Sequence, residues 1–164
     1  MLIAIAADLH DNRLNWQKFN DYAAKQGIKI LLFCGDLATA DTLAQIQAEF
    51  DGTIYLIAGN AETYEAEKIK NNSKFFFIGR YGHLTIAGKR IGLIHEPSFK
   101  RDLLSEQTDL NYIFYGHTHK PWIEQEGNII VANPGTLGGV NYQASFAVLD
   151  TETNNLTLVI LENI

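Results

Sequence analysis

The sequence predicts an α/β protein in which two β-sheets pack face to face with helices outside. Three observations carry this. Apolar runs of strand length alternate with amphipathic helical stretches through the first half, the pattern of parallel strands joined by right-handed crossovers. After about Phe75 the chain changes to pairs of short strands separated by Gly- or Asn-containing turns, the pattern of hairpins. And 164 residues, 46% hydrophobic and 20% charged, are enough for one domain, 1–164, with a sizeable core.

Taken in order, Leu2 to Ala7 is a buried strand. It is apolar, lacks a basic leader and runs straight into Asp8, so it is read as a strand and not as a signal peptide. A helix starts near Asn12, a good N-cap residue, buries Trp16, Phe19 and Ala23 at helical spacing, and ends at Gly27. Ile28 to Phe33 is the second strand and leads into Cys34-Gly35-Asp36. A helix from about Asp41 repeats the spacing with Leu43, Ile46 and Phe50. Thr53 to Ala58 is the third strand, ending at Gly59-Asn60, and the polar stretch Glu62 to Lys70 reads as a short exposed helix. Phe75 to Ile78 is an aromatic strand, explained by burial or by pairing of two chains along its edge. Leu84 to Ile86 and Arg90 to Ile94 form a hairpin around Ala87-Gly88-Lys89 and lead into His95. A short helix fits between Phe99 and Gln107, and a strand at Tyr112 to Tyr115. Trp122 to Gln125 pairs with Ile129 to Ala132, and Phe146 to Leu149 with Leu156 to Leu161. Asn133-Pro134-Gly135-Thr136 is a turn.

Composition excludes some classes. The formal charge of −6 argues against an extended nucleic-acid surface. No apolar run reaches the length of a membrane span, so no membrane partner is expected. One cysteine, Cys34, forms no internal disulfide, which fits a reducing, cytoplasmic setting.

The chemistry collects at strand ends. They supply Asp8 and His10, then Asp36, Asn60, His95, and last His117 and His119. The carboxyl edge of an α/β sheet is where ligands bind, and four of the five histidines fall there; His83 reads as a surface or turn residue. In an extended chain residues i and i+2 point the same way, so His117 and His119 are expected to converge on one point. Seven nitrogen and oxygen donors exceed one tetrahedral zinc site and suit two divalent ions. Asp36 is read as the bridge, with Asp8, His10 and His119 completing one site and Asn60, His95 and His117 the other. Manganese is favoured, with nickel, zinc, iron or magnesium also compatible. Two such ions about 3.5–4 Å apart activate water for in-line attack on phosphorus. Each residue has a plainer reading: Asp8 and Asp11 as helix-start acids, Asp36 and Asn60 as turn residues after glycine, His95 as a strand-end residue. It is their joint recurrence at strand ends that favours the metal reading.

The order Asp8-x-His10, Gly35-Asp36, Gly59-Asn60, His95, Gly116-His117-x-His119 resembles the calcineurin-like metallophosphoesterase superfamily. The Gly116-His117-Thr118-His119 block and the Asn133-Pro134-Gly135-Thr136 turn resemble its compact bacterial and archaeal phosphodiesterase branch. The resemblance runs from Asp8 to about Gly139. It implies a four-layer αββα sandwich of two mixed sheets, the metallophosphoesterase fold, and a dinuclear metal site built from those seven residues. It also implies hydrolysis of a small phosphate ester. Three departures stand out. Ala61 replaces a histidine that larger members use to protonate the leaving group, with Glu62 matching the branch's usual acid. Asp11 replaces a glycine and is read as a helix cap, and Glu96-Pro97 replaces the glycine after His95. A phosphodiesterase is the leading expectation. A phosphomonoesterase, a scaffold like the retromer subunit of the same fold, and a flavodoxin-like binding domain are the alternatives. Tyr64, Trp122 and Thr136 are read either as pocket lining or as packing, and a homo-oligomer is compatible with the sequence.

Overall fold

A computed structural model describes residues 1–65 and 69–164. The first sheet has the order β11-β10-β1-β2-β3-β4. It contains β1 (Leu2–Ala6), β2 (Ile30–Phe33), β3 (Thr53–Ile57) and β4 (Phe75–Gly79), all parallel, plus the hairpin β10 (Ser145–Asp150) and β11 (Asn155–Ile160) set antiparallel beside β1. The second sheet has the order β5-β6-β7-β9-β8. Here β6 (Lys89–Ile94), β7 (Tyr112–Phe114) and β9 (Ile129–Asn133) are parallel, while β5 (Tyr81–Ile86) and β8 (Trp122–Glu126) are antiparallel edges.

Alternation along the strands builds the layers. Ile3 and Ile5 of β1, Leu32 of β2, Leu93 of β6 and Phe114 of β7 fill the space between the sheets. The opposite face of β1 carries Leu2, Ala4 and Ala6, and the two small alanines leave room for Trp16 and Phe19 of helix α1 (Arg13–Lys25). Helix α2 (Ala40–Glu49) packs beside it through Leu43 and Ile46, and the Trp16 indole donates to Glu49 at 2.7 Å. Helix α3 (Lys100–Glu106) covers the far face of the second sheet, where Leu103 meets Ile94, Ile113 and Val131. Two mixed sheets between helical layers make the αββα order, and the second sheet leaves no room for a flavodoxin-like single sheet.

Differences from the sequence reading have local causes. Asn12 caps α1 by accepting the Asn15 amide at 3.1 Å. The helix then closes with Gly27 at φ +67° and the Ile28 amide reaching back to the Ala23 carbonyl at 2.9 Å. Ile28 therefore ends a helix cap, and β2 starts two residues later than its apolar run. Of the helix expected over Glu62 to Lys70, residues 66–68 lie outside the described residues, and residues 62–65 and 69–70 are not helical. Among the described residues no helix is long and apolar enough to cross a membrane.

Candidate metal centre

The strands that carry the seven side chains run in parallel within each sheet, so their turns gather at one edge of the molecule. Asp8, His10, Asp36 and Asn60 come from the first sheet; His95, His117 and His119 come from the second. The two edges touch closely. A Cβ on Gly116 would lie 2.9 Å from the Ala7 Cβ, the Asp8 Oδ2 and the Cys34 carbonyl, so glycine is what lets the β7 turn press against the β1 and β2 turns.

The donors form two groups sharing a middle. His10 Nε2 and His119 Nε2 are 3.2 Å apart, with Asp8 Oδ1 at 3.9 and 3.4 Å from them. Asn60 Oδ1 lies 2.9 Å from His95 Nε2 and 2.8 Å from His117 Nδ1. Asp36 Oδ2 stands between the groups, 3.8 Å from His10 Nε2 and 3.3 Å from His95 Nε2. Ligands about 2.1 Å from a shared ion stand roughly 3.0–3.4 Å from one another, so these spacings fit coordination shells. Proton placement fits as well. His95 Nδ1 lies 2.7 Å from the Cys34 carbonyl and His119 Nδ1 lies 3.1 Å from the Val140 carbonyl. A carbonyl only accepts, so each Nδ1 carries the proton and each Nε2 turns a lone pair inward.

Without a cation the site is electrostatically uneasy. Burial pushes the Asp8 carboxyl up to about 7; the His95 charge opposes this, and the Asp36 carboxylate adds to it. For Asp36 burial acts upward too, but the hydrogen bond and charge of His95 and the Ala61 amide outweigh it and hold the carboxyl well below its usual range. Burial lowers His10, while the Asp36 carboxylate pulls the other way. Burial also opposes a charged His95, yet Asp36 and Asp8 beside it raise its pKa. Two buried carboxylates among four imidazoles, with His117 and Asn60 at the open side, are suited to positive ions.

Backbone strain gathers at the same residues. Asp8, His10, Asp36, His117 and His119 all have φ between +46° and +67°. Each such position costs a non-glycine residue about 1–2 kcal/mol, and strain of this kind collects where function demands it. It also corrects one expectation. His117 and His119 lie past the end of β7 in left-handed backbone, not on an extended strand, so their rings part. His117 turns to Asn60 and His95, and His119 turns to Asp8 and His10.

Residues 1–154 match the family described as the calcineurin-like phosphoesterase superfamily domain. The chain belongs to that superfamily. A phosphodiesterase of Methanocaldococcus jannaschii is 22% identical, covering 99% of this chain and 100% of that protein. Phosphodiesterase YfcE of Escherichia coli is 23% identical over 93% of this chain and 89% of its own length. Among solved structures, an archaeal phosphodiesterase superposes with a TM-score of 0.86 at 22% identity, over 98% of this chain and 99% of that one. Vps29 of Chaetomium thermophilum superposes at 0.72 with 17% identity, over 98% and 95%. These superpositions show the shared metallophosphoesterase fold.

Within this calcineurin-like chain, several residues have supporting contacts that the sequence reading did not give. Asp11 is not itself a helix cap: Asn12 caps α1 and Thr39 caps α2, and Asp11 braces the second cap, its Oδ1 accepting the Thr39 amide at 3.2 Å and the Thr39 and Thr42 hydroxyls at 2.6 and 2.5 Å. Thr136 is buried and donates to the Asp8 carbonyl at 2.9 Å, so it supports the β1 turn and lines no pocket. Buried Asn133 donates to the Gly116 carbonyl at 2.8 Å. The signal for both was a polar turn between apolar strands. Trp122 is 46% exposed on an edge strand, with the Lys120 ammonium 5.0 Å over its ring. Glu96 meets Arg80 at 3.5 Å, and that guanidinium lies over Phe99. His83 is exposed in β5, away from the cluster.

Proposed function

We propose that the chain, acting as one domain over residues 1–164, is a metal-dependent phosphodiesterase that hydrolyses a small phosphate ester at a dinuclear centre. The observation that supports this reading most is that Asp36 Oδ2 lies within 4 Å of both His10 Nε2 and His95 Nε2, where a carboxylate could serve two ions. Asp8, His10 and His119 would hold one ion and Asn60, His95 and His117 the other, with manganese the favoured metal. Bound there, two divalent ions supply an activated water and offset charge on the phosphoryl oxygens. The protein's share is orientation. Cys34 and Val140 fix two imidazoles through their carbonyls, and the His117 amide donates to both Asp8 oxygens at 3.2 and 3.0 Å. Ala61 has no side-chain proton to give a leaving group; its amide donates to Asp36 at 2.8 Å. Esters whose leaving groups need no protonation are therefore the better substrates.

The names of the phosphodiesterase relatives support this class of reaction, while the Vps29 neighbours support a second reading, a non-catalytic scaffold. All seven positions here retain side chains able to ligate, which favours the enzyme. The test is hydrolysis of an activated phosphodiester and its monoester by metal-stripped protein, with manganese, nickel, zinc or magnesium restored in turn. Metal-dependent diester cleavage is the expected result. Faster monoester cleavage moves the substrate class. Tight manganese binding with no turnover of either ester leaves the scaffold.

A further inference from the structure

We propose that Glu62 is a positioning residue: its carboxylate plugs a socket of backbone amides formed by the turns after β2 and β3, and so holds Asp36 between the two donor groups. This rests on the reading of Asp36 as a ligand; the socket itself does not.

Glu62 Oε1 accepts the Asp36 amide at 3.0 Å and the Gly59 amide at 3.1 Å, and the Leu37 amide also points at the carboxylate. Asp36 is left-handed at φ +61°, so its amide and the next turn toward one spot, a concavity that binds anions. Filled by nothing, it would leave buried donors without partners, each costing about 1–3 kcal/mol. Glu62 fills it from within the chain. The return bond closes a reciprocal pair, because Asp36 Oδ1 accepts the Ala61 amide at 2.8 Å. With Oδ1 engaged there, Oδ2 is the oxygen left facing His10 and His95. No slack remains between the turns: a Cβ on Gly59 would fall 2.0 Å from Asp36 Oδ1 and 2.5 Å from the Asp36 nitrogen. Behind the socket, Glu62 Oε2 and the Tyr64 hydroxyl are sealed from solvent beside one another, so Tyr64 backs the second oxygen while Oε1 takes the amides.

The test compares full-length wild type, Glu62→Gln, Glu62→Met and Glu62→Ala, first metal-free and then titrated with manganese. Glutamine keeps an acceptor oxygen. Methionine keeps the volume without a strong acceptor, and so replaces alanine should its cavity unfold the chain. Amide exchange is read relative to β1. The Asp36 and Gly59 amides are expected to exchange at least about tenfold faster in Glu62→Met and Glu62→Ala, and within about threefold of wild type in Glu62→Gln. Manganese affinity by calorimetry is expected to fall about 10–100-fold in the first two and to recover in Glu62→Gln. The proposal is overturned by unchanged protection of both amides, by equal acceleration throughout β1, or by unchanged affinity once protection is lost. Wild type that binds no manganese sinks the metal reading separately, and the exchange result still decides whether Glu62 holds the turn.

Discussion

Asp36→Asn is expected to lower metal-dependent diester hydrolysis by at least about 10³-fold, because ion stabilisation of the transition state is worth several kcal/mol. The substitution is nearly isosteric, and the amide oxygen can still accept the Ala61 amide as Asp36 Oδ1 does. What changes is the other atom. Asp36 Oδ2 faces His10 Nε2 and His95 Nε2, and an NH₂ group there donates where a lone pair is needed. On the proposed dinuclear reading the substitution would remove a charge shared by both halves of the site, so the second ion is expected to dissociate and not merely shift. Calorimetry with manganese and initial rates on an activated diester check this together. Rates within tenfold of wild type at saturating manganese would remove Asp36 from the centre of the mechanism.

A second substitution is expected to improve the protein in one state while disabling it in another. Asp8→Asn should stabilise the metal-free chain at pH 8 by roughly 4 kcal/mol relative to its effect at pH 4, since each tenfold change in an acidity constant between the unfolded and folded chain is worth about 1.4 kcal/mol. Asp8 is fully buried, and burial raises its carboxyl from 3.8 to about 7 in the folded state. A carboxyl that holds its proton more tightly when folded stabilises the fold fully below about pH 4, and that contribution is gone once the pH passes about 7. His95, with its raised pKa, adds a loss in the same direction. Comparing the two proteins, and not one protein at two pH values, limits its contribution. Denaturant unfolding in chelator gives the numbers. Parallel pH profiles for wild type and Asp8→Asn would show that Asp8 ionises without penalty. Saturating manganese should reverse the ranking at pH 8, since a dication beside Asp8 favours the carboxylate.

The candidate site was legible as a cluster because its residues are rare types in a fixed relation to strands. Once Leu2 to Ala7, Ile28 to Phe33 and Thr53 to Ala58 read as parallel strands, the polar residue after each had to share an edge. The unbroken apolar run Leu2 to Ala7 likewise read as a buried strand, and the structure buries both its faces, Ile3 and Ile5 on one and Ala4 and Ala6 on the other. What stayed hidden was backbone conformation. Nothing in Gly116-His117-Thr118-His119 shows that both histidines adopt left-handed φ and send their rings to different neighbours. The supporting contacts were hidden for another reason: they join residues far apart in sequence. Thr136 reaches Asp8 across 128 positions, and Asp11 reaches Thr42 across 31. Local pattern carries no record of such pairs. Ile28 failed more simply, since an apolar residue closing a helix looks like one opening a strand.

The division of the donors between the sheets, four from one and three from the other, bears on how the chain folds. Neither sheet alone presents a complete set, so an ion has little to grip until the two have docked and the turn at Gly116 has seated against Ala7. An ion that needs donors from both sheets is expected to bind fully only after they have docked. Binding of that kind would deepen the native basin, so saturating manganese is expected to slow unfolding while refolding keeps its pace. Metal in this protein would act as a latch on the finished structure, setting its lifetime and not its speed of assembly.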